Sequence, residues 1–218
     1  MLVRRVMTEN PVFTRPETPV NDARELMDRE NIKHLPVLDR ANTLTGIVTL
    51  KDLIRAAPSS ATSLDIYEIS YLLSKLKVEK VMQRKVITVN EDEVVEEAAR
   101  IMADRGIGCL PVMRGSLMAG IITDTDLFRV FINAFGARKS GVRIAVKIVE
   151  RPGELAALSG AIARRGGNIL SYVYADGDDP GHSRCTMKIA GLDIAAVEEI
   201  LASLPEVETE DLRESRGE

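Results

Sequence analysis

Short apolar runs bounded by glycine and proline recur along the chain, and two of them are near copies. Gly46-Ile-Val-Thr-Leu-Lys-Asp52 and Gly120-Ile-Ile-Thr-Asp-Thr-Asp126 each open on glycine, pass two aliphatic residues to a threonine, and place an aspartate three residues later. Runs this short read as buried strands rather than helices. The stretches Leu50 to Ala56 and Thr125 to Phe135 read as the helices that follow. Each threonine therefore stands at a strand-to-helix turn, and each aspartate falls in the first helical turn.

The context of the two runs repeats as well. Residues 1–56 begin with Val6-Met7-Thr8 and an extended piece, Pro11-Val-Phe-Thr14. A helix is predicted from Thr18-Pro19, with threonine as cap and proline at the first helical position. Val20, Ala23, Leu26 and Met27 form its apolar face, and Asn31 ends it. Ile32 to Leu38 is a predicted strand whose Pro36 marks a sheet edge or the strand's beginning. Asp39 to Thr43 turns the chain into the strand Leu44 to Thr49. In residues 78–135, Val81-Met82 matches Val6-Met7, Val86-Ile-Thr88 matches Val12-Phe-Thr14, and Ile107-Gly-Cys-Leu-Pro-Val112 matches Ile32-Lys-His-Leu-Pro-Val37. The offset is 75 at Met7/Met82 and Pro36/Pro111, and 74 at Gly46/Gly120. Two copies, each with a partial core, are expected to pair face to face. Between them, residues 57–77 hold a loop and a helix predicted from Ser63 to about Lys77.

Beyond a linker of loop composition at 136–141, read as flexible, the pattern changes. Residues 142–212 read as strand, helix, strand, strand, helix, strand, the order of a ferredoxin-like sheet covered by two helices. The charged tail after Leu212 is expected to fray.

Composition narrows the classes. The 218 residues are 45% hydrophobic and 28% charged, as in a water-soluble globular protein. No run approaches the roughly 18 apolar residues of a membrane helix, and Met1-Leu-Val-Arg-Arg-Val6 does not read as a secretory signal. Two distant cysteines, Cys109 and Cys185, suit a reducing, cytoplasmic setting. Two histidines cannot build a His-rich metal site, and a net charge of −4 argues against nucleic acid as the partner. Aromatics make up 4% of the chain and tryptophan is absent, so any base would pack on aliphatic surface. No nucleophile-elbow, phosphate-loop or metal-ligand spacing occurs, and a non-enzyme is expected. Glu91-Asp-Glu93 reads as the acidic start of a helix.

The Thr-x-x-Asp pair has two readings. It is a capping box, in which hydroxyl and carboxylate satisfy the helix end. It is also a hydroxyl, free backbone N–H groups and a carboxylate around one small volume, suited to a phosphate and a ribose diol. Duplication with matching flanks favours the second reading without removing the first.

These residues resemble known families. The apolar-x-x-Leu-Pro-Val strands ending at Val37 and Val112, with the Gly-apolar-apolar-Thr-x-x-Asp stretches, resemble a pair of CBS domains, the tandem called a Bateman module. Glu150-Arg-Pro-Gly-Glu-Leu155 and Gly-Gly-Asn168-Ile169 resemble an ACT domain, and the order of the three is similar to that of acetoin utilisation protein B-like bacterial proteins. The resemblance implies an α+β chain with CBS repeats at 1–56 and 78–135, a helical linker at 57–77 and an ACT domain at 142–212. It implies an adenosyl ligand, with AMP, ADP, ATP or S-adenosylmethionine as candidates and no required cofactor. Thr49 with Asp52 and Thr123 with Asp126 would contact phosphate and ribose. The base would lie against Ile32, Lys33, His34, Pro36 and Thr14 in one copy and Ile107, Cys109, Pro111 and Thr88 in the other. Lys33 and His34 give way to Gly108 and Cys109, so polyphosphate binding would be lopsided. In the ACT unit the resemblance points to Glu150, Gly153, Leu155 and Asn168 as an effector site at a homodimer interface. A ligand sensor acting through the ACT unit is expected; the alternative is a scaffold that contacts a protein partner and binds no ligand.

Overall fold

The structure, a computed structural model, describes residues 1–56 and 75–217. The predicted helix from Ser63 lies outside these residues except at its end, where Lys77 is already extended and bridges to Pro19. The chain divides into two compact units, Met1–Leu127 and Phe128–Glu218. No helix among the described residues is long and apolar enough to cross a membrane.

In the first unit the helical spacing sets the core. Helix α1 (Val20–Glu30) buries Val20, Ala23 and Met27 and ends at Asn31, whose φ of 52° is left-handed. Strands β2 (His34–Leu38) and β3 (Leu44–Thr49) pair antiparallel, and α2 (Leu50–Ala56) follows. The second copy repeats this with helix α3 (Val95–Arg105), which buries Val95, Ala98 and Met102 and ends at Gly106. Strands β5 (Cys109–Arg114) and β6 (Leu117–Thr123) and helix α4 (Asp124–Ala134) complete it.

Thr18 does not cap α1. Pro19 is the N-cap, and the Thr18 hydroxyl instead accepts the Arg15 N–H at 3.3 Å, closing the preceding turn. Nor do Glu91, Asp92 and Glu93 begin α3, whose first-turn acids are Glu96 and Glu97. The Glu91 carboxylate takes a bidentate bond from Arg114 at 2.5 and 2.7 Å instead. The prolines of the two strands act as acceptors: Thr14 donates to the Pro36 carbonyl at 2.9 Å. Pro111 even lies inside a sheet, since β5 sits between β6 and the short β4 (Val89–Asn90).

The leaders of the two copies are exchanged. Strand β1 (Thr8–Glu9) pairs with β6 of the second copy, and Gln83 bridges to Ile47 in β3 of the first. Val78 and Met82, counted with the second copy in sequence, lie in the first copy's core. The two glycines of the repeated runs make the crossing possible. A Cβ on Gly46 would lie 2.6 Å from Met82 Sδ, and one on Gly120 would lie 2.8 Å from Met7 Sδ and 2.7 Å from the Thr8 carbonyl.

The second unit has the βαββαβ order expected. Strands β7 (Gly141–Val149), β8 (Asn168–Asp176), β9 (His182–Ala190) and β10 (Val207–Ser215) form one antiparallel sheet in the order β10-β7-β9-β8. Alternate residues of β7 (Val142, Ile144, Val146, Ile148) and of β9 (Cys185, Met187, Ile189) pack under α5 (Glu154–Arg164) and α6 (Ile194–Ala202). The tail does not fray at Leu212, because Arg213, Glu214 and Ser215 continue the pairing with β7. The 136–141 segment is likewise tethered. Lys188 in β9, 3% exposed, donates its ammonium to the Gly136 and Lys139 carbonyls, both at 2.8 Å, and to the Ser215 hydroxyl at 2.6 Å. Burying a cation is tolerable when every proton it carries finds an acceptor.

Candidate functional site

Both capping boxes form. Asp52 Oδ2 accepts from the Thr49 N–H at 2.9 Å and the Thr49 hydroxyl at 2.7 Å, while the Asp52 N–H donates back to Thr49 Oγ1 at 3.2 Å. Asp126 Oδ2 accepts from Thr123 at 2.9 and 2.8 Å, with the return bond at 3.4 Å. Each threonine proton is thus committed to its aspartate. The expected free N–H groups are fewer than the sequence suggests. Leu50 donates to the Lys33 carbonyl at 2.9 Å and Asp124 to the Gly108 carbonyl at 3.0 Å.

The environments of the two boxes differ. A cleft of about 890 Å³ opens beside the first box. Lys33, His34, Thr49 and Asp52 line it from the first copy, and Ile107, Cys109, Pro111 and Asp124 from the second. The exchanged leader adds Gln83, Lys85, Val86 and Ile87. Gln83 Nε2 also reaches Asp52 Oδ2 at 3.4 Å. All of these bonds converge on Oδ2, leaving Asp52 Oδ1 without a protein donor among the described residues. Asp126 is 5% exposed and does not line this cleft, and neither does Thr123.

Of the other residues singled out from sequence, Ile32 packs against the first copy's core, and Thr14 is 4% exposed in a bridge to Val37. Thr88 is not the counterpart of Thr14. Thr14 faces Val37 and Val89 faces Val112, so the offset here is 75; Val89 takes the buried place and Thr88 is exposed. Pro36 is buried in β2 and contributes only its carbonyl.

The electrostatics of the cleft centre on His34. Burial depresses its pKa below 6.5; Asp124 opposes that, Lys33 reinforces it and Asp52 opposes it. Gly108 leaves room here, since a Cβ on it would lie 3.2 Å from Asp124 Oδ2 and 3.4 Å from His34 Nε2. Burial, with Asp124 beside it, raises the Cys109 thiol to about 12, which removes it as a nucleophile near neutral pH. Sequence reasoning missed Lys51, Arg55, Gln83, Lys85 and Asp124. The last is visible as the acid following Thr123, but the leader residues arrive only through the exchange.

In the second unit Glu150 Oε2 accepts from the Ser183 hydroxyl and from that of Tyr174, which together hold its carboxyl below the usual range. Gly153, with φ of 100°, N-caps α5, and Leu155 follows in its first turn, 37% exposed. Asn168 is not with them. It pairs with Ala190, seven β9 residues from Ser183, about 23 Å along the strand. The four expected effector residues therefore form no single cluster in one chain.

A family model described as CBS domain matches residues 3–59 and 78–133. Among solved structures, a protein from Vibrio cholerae ascribed to acetoin utilization (AcuB) is 33% identical, with a TM-score of 0.52 over 61% of this chain and 91% of that one. The CBS domain pair of protein MJ0100, in complex with 5'-methylthioadenosine and S-adenosyl-L-methionine, is 28% identical, with a TM-score of 0.51 over 64% and 98% of the two chains. CBSX2 in complex with AMP is 30% identical, with a TM-score of 0.50 over 60% and 96%. The chain spans only about a quarter of the length of the first curated relatives it matches, several of them bearing enzyme names.

Proposed function

This chain belongs to the CBS domain family, and we propose that its cleft binds an adenosyl ligand and that the protein acts as a regulatory sensor rather than a catalyst. The observation that carries this is the double use of Asp52. Oδ2 holds the helix end, while Oδ1 stays available beside an aliphatic wall of Ile47, Val86, Ile87, Ile107 and Pro111. Such a wall suits a purine face, and a spare carboxylate oxygen suits a ribose hydroxyl. The complexes of MJ0100 and CBSX2 with adenosyl compounds support the ligand class.

The C-terminal unit is read as an ACT domain that relays the bound state, with helix α4 as the covalent route. That helix begins at Asp124 in the cleft and ends two residues before Gly136, where Lys188 takes hold. Ligand can bias such a relay only by binding one arrangement more tightly. An effector site joining Glu150 to Asn168 would require a second copy of the chain, which favours a homodimer.

The scaffold reading is favoured by one fact: in both boxes the threonine hydroxyl and the aspartate Oδ2 are already committed to each other. Calorimetric titration with AMP, ADP, ATP and S-adenosylmethionine separates the two. The sensor predicts heat with at least one, and an Asp52→Ala variant weakened by about 1–3 kcal/mol. Absence of binding to all four would leave the scaffold.

A further inference from the structure

We propose that the cleft beside Asp52 selects its ligand by negative charge, taking a nucleoside di- or triphosphate in preference to a monophosphate or to a sulfonium cation. This rests on the adenosyl-ligand reading and specifies the charge of that ligand. Four cations line the cleft from three places: Lys33 before β2, Lys51 and Arg55 on α2, and Lys85 on the exchanged leader. None of the four is paired with a carboxylate among the described residues. Two acids face them, Asp52 and Asp124, so cations outnumber carboxylates in the lining, and each acid has one oxygen bonded to neutral donors. Asp52 takes the Thr49 and Gln83 donors, and Asp124 Oδ1 accepts from the Thr125 N–H at 2.7 Å and its hydroxyl at 3.3 Å.

The backbone does not substitute for these side chains. The Leu50 and Asp52 N–H groups are spent within the protein, and α2 has seven residues. The four side chains are exposed around the cleft, and an anion seated among them is attracted by all four. The set is also local. At the corresponding positions of the other copy stand Gly108 for Lys33, Thr125 for Lys51 and Asn10 for Lys85; only Arg129 matches Arg55. The fold is duplicated and the charge is not, so one polyphosphate per chain is expected.

The test is calorimetric titration of the full chain with AMP, ADP, ATP and S-adenosylmethionine, for the wild type and for a Lys33→Met/Lys85→Met double variant. The expected result is affinity rising from AMP to ATP by roughly tenfold or more, as added charge-assisted bonds imply. S-adenosylmethionine should bind most weakly, and ATP should saturate at one per chain. In the double variant ATP should lose more affinity than AMP does, so that the ratio between the two falls toward one. Higher salt should narrow the gap between the two nucleotides. Equal affinity for AMP and ATP, tightest binding of S-adenosylmethionine, or a double variant that loses AMP as much as ATP would each overturn the charge selection and leave the adenosyl site standing. No binding of any of the four overturns both.

Discussion

Gly46 and Gly120 hold corresponding positions, but what lies over them differs in stiffness. A methyl group on Gly46 meets mainly the flexible end of Met82. On Gly120 it also meets the Thr8 carbonyl, a backbone atom held in the β1–β6 ladder. Gly120→Ala should therefore cost more than Gly46→Ala, by about 1–3 kcal/mol of overpacking, as read from urea unfolding midpoints. His34 supplies a pH signature. Its folded pKa lies below 6.5 through burial, so in acid the unfolded chain takes up this proton first. Stability should decline as pH drops through 6.5 and level off below the folded value. His34→Asn should remove that slope, which melting temperatures measured across the range would report.

The separate elements were largely legible. The 3.6-residue period of Val20, Ala23 and Met27 is a physical consequence of one-sided burial and appears as read, and so does the strand and helix order of residues 142–212. The misreadings fall where two local solutions compete. Thr18 and Glu91 are good helix starters by type, yet one closes a turn and the other answers an arginine 23 residues away. Thr88 shows how a single residue of register reverses inside and outside. Two substitutions bear on this scale. Asp126→Ala removes a box carboxylate outside the cleft, so it should lower stability by about 1 kcal/mol without changing nucleotide affinity there. Lys188→Met strands two carbonyls and a hydroxyl, and about 3 kcal/mol of destabilisation is expected in denaturant titration.

For the molecule as a whole, the duplication was plain in the sequence, while the composition of the cleft was not. Periodicity reports which face of an element is buried; it does not report which copy supplies the covering. Val-Met leaders at 6–7 and 81–82 read the same whether each stays at home or crosses over. Because they cross, Lys85, Val86 and Ile87 reach a recess built around Asp52.

That reciprocal crossing has a consequence for severed chains. With the backbone broken between residues 56 and 75, each piece would still carry a stretch that the other needs to close its interior. The halves, produced together, should copurify as a clasped pair, whereas either one alone should behave as an aggregation-prone fragment with an open seam.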